Sequence, residues 1–400
     1  MKILVLNCGS SSIKYKLFDM DKKTVMAQGG IEKIGLKGSF LKLTLPNGDK
    51  VMLEGEILEH TAGIEYILGV LLSEKYGCIK SLDEISAVGH RVVHGGEKFN
   101  KSVLITDQVI EKIVECIDIA PLHNPPNLKG IRAVAELMPN APQIAVFDTA
   151  FHQTMPDYAY MYGIPYQLYK EYGIRRYGFH GTSHRYVSQR VCEFLGVPVK
   201  GQRIITCHIG NGGSVTALKD GKSVDTSMGF TPVEGLLMGT RAGDIDAGVV
   251  SYIMDKEMIG TASISTLLNK HSGVLGVSGV SSDMRELDAA VKEGNERAIL
   301  AENMYYYRIK KYVGAYTAAL GGVDIIVFTG GVGENQSLCR KAVCSGLEYM
   351  GVKLNLELNE KIHGDESVIS TDDSQVKVVI IPTDEEFMIA SDTMEILSAK

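Results

Sequence analysis

Leu4–Asp19 reads LVLNCGSSSIKYKLFD, and Ile205–Asp220 reads ITCHIGNGGSVTALKD. Laid together without a gap, Gly9 falls on Gly210, Ser10 on Asn211, Leu17 on Leu218 and Asp19 on Asp220. Each stretch is an apolar run, a turn of Gly, Ser and Asn, and a returning run, which predicts a β-hairpin. The turn of such a hairpin presents backbone N–H groups, and such donors invite an anion. One hairpin of this kind is ordinary. Two, one in each half of the chain, predict similar domains carrying two clamps for one polyphosphate.

Further strand-like runs lie at Ala87–Val93, Ile144–Phe147, Ile325–Phe328 and Val376–Ile381, besides Lys2–Leu6, Ile13–Phe18 and Ile204–Ile209 within the hairpins. They alternate with helical patterns at Gly63–Glu74, Asn127–Leu137, Ser183–Phe194 and Ala298–Leu320, so an α/β chain with helix-covered sheets is expected. A turn region with Pro121, Pro125 and Pro126, followed by a loop-rich stretch from Phe151 to Tyr177, places a boundary near residue 150. The expected domains are 1–150 and 151–383. A length of 400 residues agrees with two domains.

With 41 basic and 48 acidic side chains the net charge is −7, so no overall field attracts nucleic acid or anionic lipid. An anionic ligand must be caught locally. The longest stretch free of Asp, Glu, Lys and Arg, Ile204–Leu218, contains His208 and Asn211 and falls short of the ~18 apolar residues of a membrane span. The amino terminus alternates like a strand and has no signal-peptide pattern. Seven cysteines without a CxxC pair fit a reducing compartment, so a cytoplasmic protein with no nucleic-acid or membrane partner is expected.

The common nucleotide fingerprints fail. Gly221-Lys222-Ser223 ends like a P-loop, but Thr216 stands where the earlier glycine belongs. Gly331-Val332-Gly333 opens like a dinucleotide turn, yet Gln336 takes the last glycine position. His90 with His94, and His180 with His184, have helical metal-ligand spacing, but Arg91 and Gly181 replace the glutamate of a zinc protease. Five other segments can carry chemistry. Asn7–Lys14 gathers hydroxyls, including Ser10 and Ser12, and the Lys14 ammonium at a turn suited to phosphate. His208–Ser214 has glycines that let backbone approach a ligand. Phe328–Asn335 is an apolar strand entering a glycine turn before a helix, which suits a nucleotide's sugar and α-phosphate. Val146–Ala150 and Ile381–Glu386 each place acids at a strand end, where Mg²⁺ finds oxygen donors.

In this setting NCGSSSIK, HRVVHGG, FDTAFH, YGFHGTSH, HIGNGGS, GTRAGDID, TGGVGEN and PTDEE, in that order, resemble the acetate kinase family of the acetate and sugar kinase, Hsp70 and actin superfamily. The resemblance covers essentially the whole chain. It implies two duplicated ribonuclease-H-like, actin-like ATPase domains around a nucleotide cleft, with 384–400 returning to the N-terminal domain. It implies ATP and acetate as substrates, acetyl phosphate and ADP as products, Mg²⁺ with Mn²⁺ as a substitute, and a homodimer. Nucleotide contacts fall on Lys14, on His208, Ile209, Gly210, Asn211 and Gly212, on Asp283, Met284 and Arg285, and on Gly331, Val332, Gly333, Glu334 and Asn335. The metal falls on Asn7 and Glu385. Arg91, Asp148, His180 and Arg241 take the catalytic positions, while Val93, Leu122, Phe179 and Pro232 match the apolar pocket for the methyl group, with Arg91 beside them. Asp384 departs from the Asn expected in many members.

Moving a phosphoryl group onto a carboxylate drives one anion against another, so positive charge and alignment matter more than proton removal. The planar forks of Arg91 and Arg241 suit that need, and His180 is placed to donate to a phosphoryl oxygen. A carboxylic acid substrate is already ionised at neutral pH, so Asp148 is read as orienting Mg²⁺, its waters or Arg91 rather than as a base. Cys8 and Cys207 are read as small apolar groups, and Tyr305, Tyr306, Tyr307 and Tyr312 as core or interface. Two rival readings remain. A chaperone-type ATPase of the same superfamily has no need of paired arginines, and a sugar kinase needs a base and a polar pocket.

Overall fold

The structure, a computed structural model, describes residues 1–45 and 47–399. Its chain divides into two compact units, Met1–Phe151 with Asp384–Lys400 (unit 1) and His152–Thr383 (unit 2).

Unit 1 holds β1 (Lys2–Cys8), β2 (Ser12–Asp19), β3 (Thr24–Glu32), β4 (Phe40–Thr44), β5 (Lys50–Glu54), β6 (Ile85–Val92), β7 (Val103–Leu104) and β8 (Gln143–Phe147). They form one sheet in the order β5-β4-β3-β2-β1-β6-β8-β7. β1 pairs antiparallel with β2 and parallel with β6, and β6 pairs parallel with β8. Because successive strand residues face opposite sides, β1 feeds two cores. Leu4 and Leu6 join Tyr15, Leu17, Ile64, Ile67 and Val134 on one face. Ile3 and Val5 join Phe18, Ile144, Val146, Ile389 and Ala390 on the other. The first face is covered by the helices His60–Leu72 and Asn124–Leu137, the second by the helix Glu385–Ser398. A strand covered on both sides is apolar along its buried middle, which is why Ile3–Leu6 of KILVLNC is a continuous buried apolar run flanked by the partly buried Lys2 and Asn7.

Unit 2 holds β9 (Arg203–Ile209), β10 (Gly213–Lys219), β11 (Lys222–Thr226), β12 (Ile325–Thr329), β13 (Ser367–Val368) and β14 (Lys377–Ile380). Their order is β11-β10-β9-β12-β14-β13. Here β9 pairs antiparallel with β10 and parallel with β12, and β12 pairs parallel with β14. The run β11-β10-β9-β12-β14 therefore repeats the pattern β3-β2-β1-β6-β8, and the internal echo is a duplicated fold.

The two hairpins are not identical. Cys8 pairs with Ile13 in the first, but Ile209 pairs with Gly213 in the second, so the second turn is one residue tighter than the ungapped sequence match implies. Gly9 N donates to Ser12 O at 2.8 Å, and Gly210 N donates to Gly212 O at 3.0 Å, closing each turn. The glycine segment after β12 also differs from the expected turn, since Gly330–Asn335 is itself a short helix. Gly330 makes the entry, with φ +77° and the Ile209 carbonyl oxygen 2.8 Å from where a Cβ would lie.

Candidate active site

In unit 1, β6 and β8 run side by side with Arg91 opposite Val146, which brings Asp148, just past the end of β8, within reach of Arg91. Arg91 Nε and Nη2 donate to Asp148 Oδ2 at 3.0 and 2.6 Å. Arg91 Nη1 donates to Asn7 Oδ1 at 3.3 Å, so Asn7, Arg91 and Asp148 form one cluster. The Asp148 side chain is 1% exposed. Burial works against the Arg91 charge, but the neighbouring Asp148 and Glu385 more than offset it and raise its proton affinity. Glu385 opens the helix Glu385–Ser398. Burial, with like charge from Asp148 and Glu386 set against the pull of Arg91, pushes its carboxyl up to about 7. A carboxylate raised in this way is relieved by a cation. The oxygen donors of Asn7, Asp148 and Glu385 fit Mg²⁺, which prefers hard oxygen ligands.

Ser10 is exposed at the first turn, while the exposed Lys14 and the partly buried Ser12 lie in β2. Val93 is buried, its N–H donating to Asn127 Oδ1 at 3.0 Å, whereas Leu122 is 66% exposed. Asp384 caps the helix Glu385–Ser398 by accepting from Phe387 N at 3.0 Å, and it pairs with Lys16 at 3.2 Å. Lys16 also reaches Glu386 at 3.1 Å. His90 meets Gln143 in the sheet, on strand β6, and His94 follows that strand's end, so the two are not on a helix.

In unit 2, His180 is the residue before the helix Gly181–Leu195 and holds a left-handed backbone, φ +61°. Strain at a non-glycine residue persists only where the surroundings over-determine it. Its ring is fixed by Ser214 Oγ, 2.8 Å from Nδ1, and by His208, whose ring stacks on it at 4.2 Å and 16°. His208 Nδ1 is in turn 2.7 Å from Ser183 Oγ. The other end of this network is buried. His184 meets Thr206 Oγ1 and Ser214 Oγ, each at 2.7 Å, and burial together with His152 and His208 pushes its proton affinity well down.

Arg241 lies against the second turn, its Nη1 3.2 Å from where a Gly212 Cβ would stand. Its polar contacts are the Pro232 carbonyl oxygen at 3.4 Å and Met238 Sδ at 3.8 Å, with no carboxylate among them. Burial lowers its proton affinity. A guanidinium so placed has donors that an anion can use. Phe179 is buried and its carbonyl accepts from Ser214, while Pro232 is partly buried.

Gly210, Asn211, Asp283, Met284, Arg285, Gly331, Val332 and Asn335 line a cavity of about 520 Å³ in unit 2. Arg285 pairs with Asp283 at 2.6 Å and holds its carboxyl down at about 2. Sequence reasoning missed Gly239, Ser282, Tyr305 and Gln336, which complete the wall. Tyr305, expected in the core or at an interface, is buried and also forms part of this cavity. Among the described residues His208, Ile209, Gly212, Gly333 and Glu334 are not in the lining. For Glu334 the reason is visible, since its carboxylate accepts from Gly330 N at 2.8 Å and Thr383 N at 3.2 Å and so braces the short helix. Cys8 and Cys207 are buried, and burial pushes Cys8 up to about 12 and Cys207 well above a thiol's ordinary value, so both pack as small apolar groups. Among the described residues no helix is long and apolar enough to cross a membrane.

The family model of the Acetokinase family matches residues 2–391. An acetate kinase of Phocaeicola vulgatus is 72% identical over 398 residues, covering 100% of both chains. One of Bacteroides thetaiotaomicron is 72% identical over 397 residues, covering 99% of this chain and 100% of its own. The crystal structure of Porphyromonas gingivalis acetate kinase superposes with a TM-score of 0.96 at 62% identity over 99% of each chain. A propionate kinase from Francisella tularensis follows at 0.91 and 42%, over 98% of each. With family, fold and full length in agreement, the chain belongs to the acetokinase family.

Proposed function

We propose that this chain transfers the terminal phosphoryl group of ATP to the carboxylate of acetate, giving acetyl phosphate and ADP, by direct in-line displacement and in both directions. The observation that carries the reading is Arg241, a largely buried cation beside the second phosphate turn whose polar contacts are a carbonyl and a thioether. A planar fork of that kind pairs with phosphoryl or carboxylate oxygens and stays charged at working pH. Acetyl phosphate is a mixed anhydride, so one site serves both directions.

In this reading the cavity beside Gly210 and Gly331 takes the adenosine, and the hairpin residues Ser10, Ser12, Lys14 and His208–Gly212 take the phosphates. Arg241 and Arg91 lower the repulsion between the two anions and align them. His180 donates to a phosphoryl oxygen that gains charge as the bond to ADP weakens. Asp148 holds the Arg91 fork by two hydrogen bonds to one oxygen, which is an orienting role. Asn7 and Glu385 would hold Mg²⁺, or Mn²⁺ in its place, which when bound would neutralise phosphate oxygens and fix their geometry, with Asp148 orienting the metal's waters or Arg91. Val93, Leu122, Phe179 and Pro232 are assigned to the methyl group. One methylene is worth about 1–3 kcal/mol in an apolar site, so propionate should follow acetate, with butyrate last. A cytoplasmic homodimer belongs to the same reading. It is consistent with the cysteines being unpaired and with Tyr158, Tyr166 and Tyr172 being exposed on one segment of unit 2. A sedimentation measurement giving a monomer would remove the dimer.

Hydroxylamine traps acyl phosphates as hydroxamates. With ATP and Mg²⁺ the expected yield is greatest for acetate and falls along the series. Steady ATP hydrolysis with no hydroxamate from any acid would transfer the assignment to an ATPase.

A further inference from the structure

Hydrogen counting along the buried polar chain of unit 2 gives it a direction. The Thr206 hydroxyl meets one side-chain partner, His184 Nδ1 at 2.7 Å, and both residues are fully buried. A buried O–H requires an acceptor, so Thr206 donates and Nδ1 accepts. His184, kept neutral by burial, then carries its hydrogen on Nε2 and donates it to Ser214 Oγ at 2.7 Å. That leaves Ser214, itself fully buried, with one hydrogen and two acceptors in reach, His180 Nδ1 at 2.8 Å and the Phe179 carbonyl oxygen at 3.1 Å.

We propose that Thr206, His184 and Ser214 are positioning residues, a one-way relay that keeps a hydrogen on His180 Nε2 in both charge states of the ring. When His180 is neutral, Ser214 donates to Nδ1 and the ring's single hydrogen stays on Nε2. When the ring takes up a proton, that proton sits on Nδ1 and donates to Ser214, whose hydroxyl turns to the Phe179 carbonyl. The switch is a rotation of one hydroxyl. His208 stacks on the His180 ring from β9, His184 faces it from the helix Gly181–Leu195, and Arg241 reaches the same Gly212 backbone; these groups share its electrostatic environment. The inference rests on the reading of His180 as a donor to the transferring phosphoryl group. Its consequence is that loss of the ring's charge alone does not remove the hydrogen that faces the transferring group.

The test uses the full-length enzyme with Ser214→Ala, Thr206→Val and His180→Ala, measuring kcat and KM for acetate and ATP from pH 5.5 to 8.5, with ¹⁵N NMR of the imidazole nitrogens. Ser214→Ala is expected to lower kcat roughly tenfold above neutral pH, the weight of about one hydrogen bond, with KM nearly unchanged. Its kcat should fall as pH rises, because only the charged ring still guarantees a hydrogen on Nε2, and the neutral ring should show both tautomers. Thr206→Val, close to isosteric, should change kcat and pH profile in the same direction by about two- to threefold, and it decides the matter if Ser214→Ala does not fold. A folded Ser214→Ala enzyme with the parent's kcat and pH profile overturns the relay, even if it melts at a lower temperature. If His180→Ala turns over like the parent, the donor reading itself is lost. If His180→Ala is impaired and Ser214→Ala is not, only the relay is lost.

Discussion

Arg91 and Arg241 are both assigned to the transfer of a phosphoryl group, yet their surroundings are opposite. Arg91 is held by Asp148 through two hydrogen bonds and by Asn7 through a third, with Glu385 close enough to add to the attraction. Arg241 has a carbonyl and a sulfur. The first arginine is neutralised and fixed before any ligand arrives. The second is a cation whose charge is left for a ligand to answer, and burial makes that charge costly until then. In the proposed reading, the arginine of unit 1 thus supplies orientation and that of unit 2 supplies attraction for a ligand.

The comparison breaks most readily at Arg241. Arg241→Ala should lower kcat/KM for acetate by about 10²–10³, with partial recovery on adding free guanidine, and Arg241→Lys should remain far below the parent because an ammonium lacks the fork. Equal rates for Arg241→Ala and the parent would end the contrast. Next comes Asp148→Ala, which strands the Arg91 charge in a partly buried site. Urea unfolding should show unit 1 destabilised by about 3 kcal/mol, whereas Arg241→Ala, which strands nothing, should leave stability within about 1 kcal/mol.

A third measurement sharpens the acid-rich side. Glu385 is pushed up to about 7, above the unfolded value near 4.3, so between those pH values the folded protein holds a proton that the unfolded chain has released. Its contribution to stability is present in full below pH ~4.3 and is lost as pH rises to about 7. The unfolding free energy of the parent minus that of Glu385→Gln should therefore fall between pH 5 and 7, by at most about 1.4 kcal/mol per unit, and flatten above pH 7. A difference that stays level would remove the proton from this site. Least sensitive should be Asp384→Asn. Asn caps a helix as well as Asp, and Lys16 keeps Glu386, so a change in stability beyond about 0.5 kcal/mol would mean that the ion pair does more than its exposure allows.

The hairpins, the central strands and the long helices were legible because their signals are local: a strand buried on both faces is mostly apolar, and a tight turn needs Gly, Ser or Asn. What escaped notice depended on partners far away in the chain. β3 carries Gly29 and Gly30 in its interior, which breaks the alternating pattern, and the Lys42 carbonyl oxygen and Tyr15 Cε1, 2.5 and 2.9 Å from a Gly29 Cβ, show why a side chain is excluded there. Gly330–Asn335 looked like a turn because six residues rich in glycine have low helix propensity, yet Glu334 folds back onto Gly330 N and sustains one. The segment containing Ser214 was visible as a motif, but its bond to His180 was not, since β10 and the helix Gly181–Leu195 meet only in the folded unit. Nor could the sequence separate a paired arginine from an unpaired one, because Asp148 reaches Arg91 through the parallel registration of β6 and β8.

The helix Glu385–Ser398 closes one face of the first sheet, with Ile389 and Ala390 packed among Ile3, Val5 and Phe18. It is encoded after all of unit 2. A growing chain therefore reaches the second unit with the first still missing a wall, and the usual order, in which the leading domain matures during synthesis, is reversed. The Ile3, Val5 and Ile144 surface stays uncovered until residues 385–398 have been made, and a ribosomal stall between residues 152 and 384 would leave a half-built sheet prone to aggregate.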